Sequence, residues 1–178
     1  MSRQKIAIIP GDPSGIGPEL VAKLLHDDGV QQSADILLVG DAHLWQRGAA
    51  QAEMQLALRS IASDQLAEFS GCAHLDLQTI SPDDIKIAEV TKAGGTTALR
   101  CLDKAMDLAV DGLVDGILFA PFNKAAMTAA GLNAEDEHRY MARYLDHAGY
   151  HSEINVLDNL MTTRVTCLLY TSDAADEG

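Results

Sequence analysis

The chain reads as an α/β protein built on a parallel sheet, and three observations predict it. Short apolar runs recur at 6–9, 35–40 and 116–120, with the length and composition of strands buried between layers. Each run ends at Gly or Pro, which punctuates a strand. A helical pattern separates the first two runs within forty residues, the rhythm of a strand–helix–strand crossover.

The first strand rests on Ile6, Ile8 and Ile9, β-branched residues bounded by Pro10 and Gly11. A helix then begins at Pro18, where a missing N–H costs nothing, with Glu19 in the first turn complementing the dipole. It is expected to end near Gly29. Between strand and helix lie Gly11, Asp12, Gly15 and Gly17, a loop able to bring backbone N–H groups close to an anion such as a phosphate or a cofactor. The spacing is neither Gly-x-Gly-x-x-Gly nor a Walker loop, since Pro18 stands where Lys would be. A plain strand-to-helix turn with no ligand is the alternative.

Residues 35–40 form the second strand, and 42–54 the next helix, with Asp41 as its N-cap. From 55 to 90 the pattern weakens to short alternating pieces such as 74–80; edge strands or an excursion into a second domain are both compatible with it. Residues 92–97 read as a turn that supplies a threonine N-cap. Ala98, Leu102, Ala105, Met106, Ala109 and Leu113 then fall at helical spacing as core packing. The strand at 116–120 runs into Pro121, Phe122, Asn123 and Lys124, followed by a short helix at 125–130. A polar pair at the carboxyl end of a parallel strand is where open α/β sheets hold ligands; a solvated loop charge is the bland reading of Lys124. The next helix spans 135–147, and its acidic opening is first a dipole partner. Residues 152–157 and 160–166 read as further strands.

Composition bounds the function. With 178 residues, 47% hydrophobic and 22% charged, the chain is globular and able to bury a core. A net charge of −13 argues against nucleic acid or anionic membrane as partner, while a small anionic substrate needs only a local group of donors. No apolar run approaches the roughly eighteen residues of a span, so a cytoplasmic protein is expected. Cys72, Cys101 and Cys167 lack metal or disulfide spacing, and the six histidines form no ligand-like pair, so no metal site is assigned within the chain. No catalytic base is assigned either.

The stretch Gly11-Asp12-Pro13-Ser14-Gly15-Ile16-Gly17-Pro18-Glu19, the block Ala120-Pro121-Phe122-Asn123-Lys124, the following Ala130-Gly131, and Asp136-Glu137-His138 resemble in order and spacing the 4-hydroxythreonine-4-phosphate dehydrogenase family. The likeness covers 6 to about 166. Where well-known members carry Gly-His-Thr, spacing from Gly131 puts Glu137 and His138 here. That departure, with 153–157 and 163–166, looks more like the branch acting on erythronate or threonate 4-phosphate.

The resemblance implies the two-domain α/β fold of the isocitrate and isopropylmalate dehydrogenases, of which this chain is the N-terminal part. It implies a homodimer when complete, and NAD-dependent, metal-assisted oxidation of a small 4-phosphorylated hydroxy acid with decarboxylation of the keto acid, as in pyridoxine biosynthesis. Asn123, Lys124, Glu137 and His138 would contact substrate. The family's first metal-binding histidine falls on Leu168 here, and the other two would lie in a second half. A non-catalytic phosphate-ligand module, or an acyl-phosphate transferase on the same fold, are the alternatives. Residues 167–178 read like the translation of a sequencing adapter, a non-native tail that would leave the fragment inactive.

Overall fold

A computed structural model describes residues 3–134 and 136–163. Residues 164–166 of the expected last strand, Leu168 and the proposed tail 167–178 lie outside the described residues. The chain divides into two compact units after Asp136.

The first unit is a four-stranded, all-parallel sheet in the order β3-β2-β1-β4. β1 (Gln4–Ile9) is central, between β2 (Ala34–Val39) and β4 (Gly116–Phe119), and β3 (Cys72–Leu75) lies at the edge beside β2. Strand alternation decides the two faces. Ile8, Ile36 and Leu38 pack on Val21, Leu25 and Trp45, from α1 (Gly17–Leu25) and α3 (Ala42–Gln51). Ala7, Ile9, Leu37 and Val39 point the other way and are also fully buried. The 19-residue α4 (Lys92–Val110) lies against β1, β2 and β4. The stripe read from the sequence is here: Ala98, Leu102, Ala105 and Met106 are buried, whereas Ala109 is half-buried and Leu113 lies past the helix end.

Several element readings shift. The first helix stops at Leu25 because Asp27 starts a new one, α2 (Asp28–Ser33), its carboxylate accepting from the N–H of Gly29 at 2.7 Å and of Val30 at 3.3 Å. Asp41 occupies the N-cap position of α3 without capping it. Its buried carboxylate instead accepts from the Thr79 N–H and hydroxyl and from the Ile80 N–H, and the Ala42 N–H donates to Asp76 at 3.1 Å. α4 starts at Lys92, not after a turn at 92–97. Thr91 caps it, accepting from the Gly94 N–H at 3.0 Å, and Gly94-Gly95 lie in its first turn, Gly95 running against the backbone of Ala126 and Met127.

The segment 55–90 lies within the first unit and supplies its edge strand, β3; the alternation at 74–80 is a strand only to Leu75. β4, read as buried, is half-open: Leu118 is 43% and Phe119 37% exposed, because β4 has a neighbour on one side only among the described residues.

The second unit holds α6 (Glu137–Tyr144) and an antiparallel hairpin of β5 (Ile154–Leu157) and β6 (Leu160–Thr163). α6 is shorter than the 135–147 expected. Among the described residues no helix is long and apolar enough to cross a membrane.

Candidate active-site edge

Parallel strands put their carboxyl ends on one edge, and the connections after β1 and β4 meet there. With Ile9 in register with Phe119, the Asp12 N–H donates to the Pro121 carbonyl at 3.0 Å. The strand order 3-2-1-4 changes direction between β1 and β4, the point where open α/β sheets bind ligands. The glycine loop and the Asn123-Lys124 loop are therefore neighbours, as the strand reading expects.

The loop's glycines have packing reasons. A Cβ on Gly11, whose φ is +68°, would lie 2.4 Å from the carbonyl oxygens of Ala120 and Pro121. One on Gly17 would lie 2.1 Å from the Pro10 oxygen. Both clashes are with backbone and cannot be relieved by a rotamer change. Gly15 differs, since a Cβ there would make an ordinary 3.4 Å contact with the Asp12 oxygen. Asp12, 8% exposed, accepts from the Ser14 N–H at 2.9 Å. Its Oδ1 also lies 3.3 Å from the Cβ position of Gly94, which sets a carboxylate against the first turn of α4, where the dipole favours it.

Arg47, which the sequence did not single out, reaches from α3 to donate to the Pro13 carbonyl. Burial pushes its guanidinium below the usual arginine value, and the Asp12 charge opposes that shift. The Ser14 hydroxyl, on a residue only 2% exposed, has no hydrogen-bond partner, and the Ser14 carbonyl accepts from the Ala88 N–H at 2.9 Å. Spacing could not have found Arg47, because nothing in sequence links position 47 to position 13.

Asn123 is the N-cap of α5 (Lys124–Ala129), its side-chain oxygen accepting from the Ala126 N–H at 3.1 Å. Half of its polarity is thus committed to the helix, and only the amide end is left for other work. Lys124 is exposed at the first position of α5. A cation there opposes the helix dipole, so helix energetics does not explain it.

Glu137 and His138 lie in the second unit, at the start of α6. His138 Nε2 is 3.2 Å from Glu153 Oε1, and both side chains are half-exposed, so the pair is worth little energetically. A polar pocket of about 490 Å³ opens at the carboxyl ends of β2 and β3, lined not by these residues but by Asp41, His43, Gln46, Asp76, Gln78 and Ser81 among others. It holds two carboxylates and no cation, which disfavours a phosphate. Among the described residues no three His, Cys, Asp or Glu side chains converge as metal ligands.

The profile of the family described as "Pyridoxal phosphate biosynthetic protein PdxA" matches residues 32–177. The chain belongs to the PdxA family. It is 38% identical, over 97% of its length and 50% of the relative's, to the Rhizobium meliloti protein named "Putative 4-hydroxythreonine-4-phosphate dehydrogenase 2". It is 31% identical to the D-threonate 4-phosphate dehydrogenase of Salmonella typhimurium, covering 93% of this chain and 51% of that one. The solved structure of a 4-hydroxythreonine-4-phosphate dehydrogenase from Burkholderia phymatum superposes with a TM-score of 0.81 at 28% identity, over 93% of this chain and 50% of that one. The chain spans about half the length of the curated relatives it matches. PdxA relatives are named as dehydrogenases, and the isocitrate dehydrogenase-like α/β fold expected from the resemblance is the fold of the half present here.

Proposed function

We propose that the complete protein oxidises a small 4-phosphorylated hydroxy acid with NAD, assisted by a divalent metal, and that its substrate is nearer erythronate or threonate 4-phosphate than 4-hydroxythreonine 4-phosphate. The observation that carries this reading is PdxA membership together with Glu137-His138 standing where the resemblance places the family's His-Thr. In chemical class the reaction is a two-electron oxidation of a secondary alcohol to a keto acid that then loses carbon dioxide.

Neither cofactor fits the described residues alone. No three metal-ligand side chains converge, and the clashing positions at Gly11 and Gly17 face the protein's own backbone, not an open cradle. No step is therefore routed through either group. What this chain contributes is orientation. Lys124 supplies a positive charge at the switch-point edge for the substrate's anionic groups, and the Asn123 amide supplies donors beside it. Glu137 and His138 contribute to choosing among substrates that differ at the carbon bearing the amine or hydroxyl. The resemblance further implies a homodimer for the complete protein, and the adapter-like reading of residues 167–178 as non-native makes the 178-residue chain inactive by itself.

The test is NADH formation by the complete protein, with and without added divalent metal, on erythronate, threonate and 4-hydroxythreonine 4-phosphates. Metal-dependent NADH with the aldonic acids preferred is expected. NADH from none of the three refutes the reading, and a preference for 4-hydroxythreonine 4-phosphate refutes the substrate assignment. Re-reading the source DNA across the Thr166 codon checks the tail: a continuous natural frame encoding it overturns that part.

A further inference from the structure

The glycine loop is held by three tethers of unequal stiffness. The Asp12 N–H is fixed to Pro121 at the end of β4, and the Pro13 carbonyl to Arg47 on α3. The third tether, from the Ser14 carbonyl to the Ala88 N–H at 2.9 Å, leads to a different kind of partner. Residues 81–90 are exposed at every position but Ile85, including apolar Ile87 at 54% and Val90 at 57%. Both ends of this strap are pinned: the Asp41 carboxylate grips Thr79 and Ile80, and Thr91 caps α4. Between the pins, the other hydrogen bonds stay inside the strap, at Ser81–Asp84, Pro82–Ile85 and Lys86–Glu89. Among the described residues, Ala88 to Ser14 is thus its one hydrogen bond to the rest of the fold.

Two non-glycine residues lie in the left-handed region here, Gln78 at φ 52° just before the strap and Ala88 at φ 59° within it. Such conformations persist only where surroundings impose them, and they gather at switch regions. The tether is therefore made by a backbone that its own residue disfavours. The residue that accepts the tether also carries a buried hydroxyl, Ser14 Oγ, with no partner among the described residues, a group that gains when a polar ligand reaches it.

We propose that residues 81–90 form a gate over the glycine loop, closed by the Ala88–Ser14 hydrogen bond and opened by its release. Opening frees the Ser14 carbonyl and admits a polar ligand to the Ser14 hydroxyl; re-forming the Ala88–Ser14 bond closes the strap again. That the ligand is the phosphorylated substrate rests on the function proposed above; the gate itself does not.

Lys86 makes the strap its own reporter, because trypsin must draw the chain around it into an extended form to cut, and the Ala88–Ser14 tether opposes that. The experiment follows native-state tryptic cleavage at Lys86 in the 178-residue chain, with hydrogen exchange read by peptide. Ala88→Pro removes the donor and is incompatible with φ 59°. It is expected to speed cleavage at Lys86 by about two- to tenfold, the effect of one lost hydrogen bond on an opening equilibrium, and to raise exchange in residues 10–17 while that of β1 and α4 is unchanged. Ala88→Gly keeps the donor and relieves the backbone, so its cleavage rate should not exceed wild type. Unchanged cleavage in Ala88→Pro overturns the gate, and so does faster exchange spread evenly over the first unit, which is plain destabilisation. Inorganic phosphate is the added probe. Slower Lys86 cleavage with phosphate supports an anionic ligand, and no effect of phosphate alongside the expected Ala88→Pro result overturns the ligand assignment only.

Discussion

Gly95→Ala sets two effects of opposite sign against each other. In an α-helix, Ala is more favourable than Gly by about 1 kcal/mol, so helix propensity alone predicts a stabilised protein. The tertiary structure predicts the reverse. A Cβ on Gly95 would lie 1.9 Å from the Ala126 carbonyl oxygen, 2.3 Å from its carbon and 2.8 Å from the Met127 nitrogen. All three are backbone atoms of α5, so no rotamer change helps, and α4 and α5 must move apart by about 1.5 Å, from 1.9 Å to the 3.4 Å at which ordinary contact begins. That separation opens the buried surface around Ala98, Ala126 and Met127, and a clash this close with backbone atoms falls at the upper end of the overpacking cost, about 2–3 kcal/mol. Subtracting the propensity gain leaves a net loss of about 1–2 kcal/mol. At a urea slope of about 2 kcal/mol/M, the midpoint falls by about 0.5–1 M. Equilibrium urea unfolding followed by circular dichroism measures it. Gly15→Ala, whose Cβ would make only a 3.4 Å contact, is the comparison, expected within about 0.5 kcal/mol of the parent. A midpoint for Gly95→Ala equal to or above the parent's would refute the argument that the helix contact, and not propensity, selects glycine here.

In the complete enzyme, Lys124→Ala should weaken turnover or substrate binding by about 2–4 kcal/mol, the loss of a charge-assisted contact; unchanged kcat/KM would reduce Lys124 to a surface charge. Glu137→His should shift the ratio of kcat/KM between the aldonic-acid and amino-acid phosphates toward the latter, and a constant ratio would remove Glu137 from specificity. Burial pushes both the Cys72 and Cys101 thiols up, with Arg59 partly opposing this at Cys72 and Asp41 adding to it at Cys101. Both therefore stay protonated in the folded chain after the unfolded chain has begun to ionise, so their contribution is whole below the ordinary thiol value of about 8.5 and declines as pH rises above it. Urea midpoints at about pH 8 and pH 10 should fall, and less so for Cys72→Ala/Cys101→Ala; equal declines in both proteins would exclude the thiols.

Much of the first unit was legible from local pattern. β-branched runs closed by Gly or Pro marked β1 and β2, and 3.6-residue spacing marked α4, because both signals depend on side chains of neighbouring positions in one element. The motif residues were legible as well, since Gly11 to Glu19 and Asn123-Lys124 are contiguous. What sequence could not give was the reason for each residue. Asp41 reads as a helix cap and is a clamp on Thr79 and Ile80; Gly94-Gly95 read as a turn and are helix, and Gly95 is bare where α5 approaches. Gly11 and Gly17 read as part of an anion loop, and the fold adds a packing reason for them: a Cβ at either would meet the chain's own backbone at Ala120, Pro121 or Pro10. Apart from Pro10 against Gly17, each of these depends on a partner tens of residues away, and the strength of a close approach or of a carboxylate's grip is fixed only when the fold brings the two segments together.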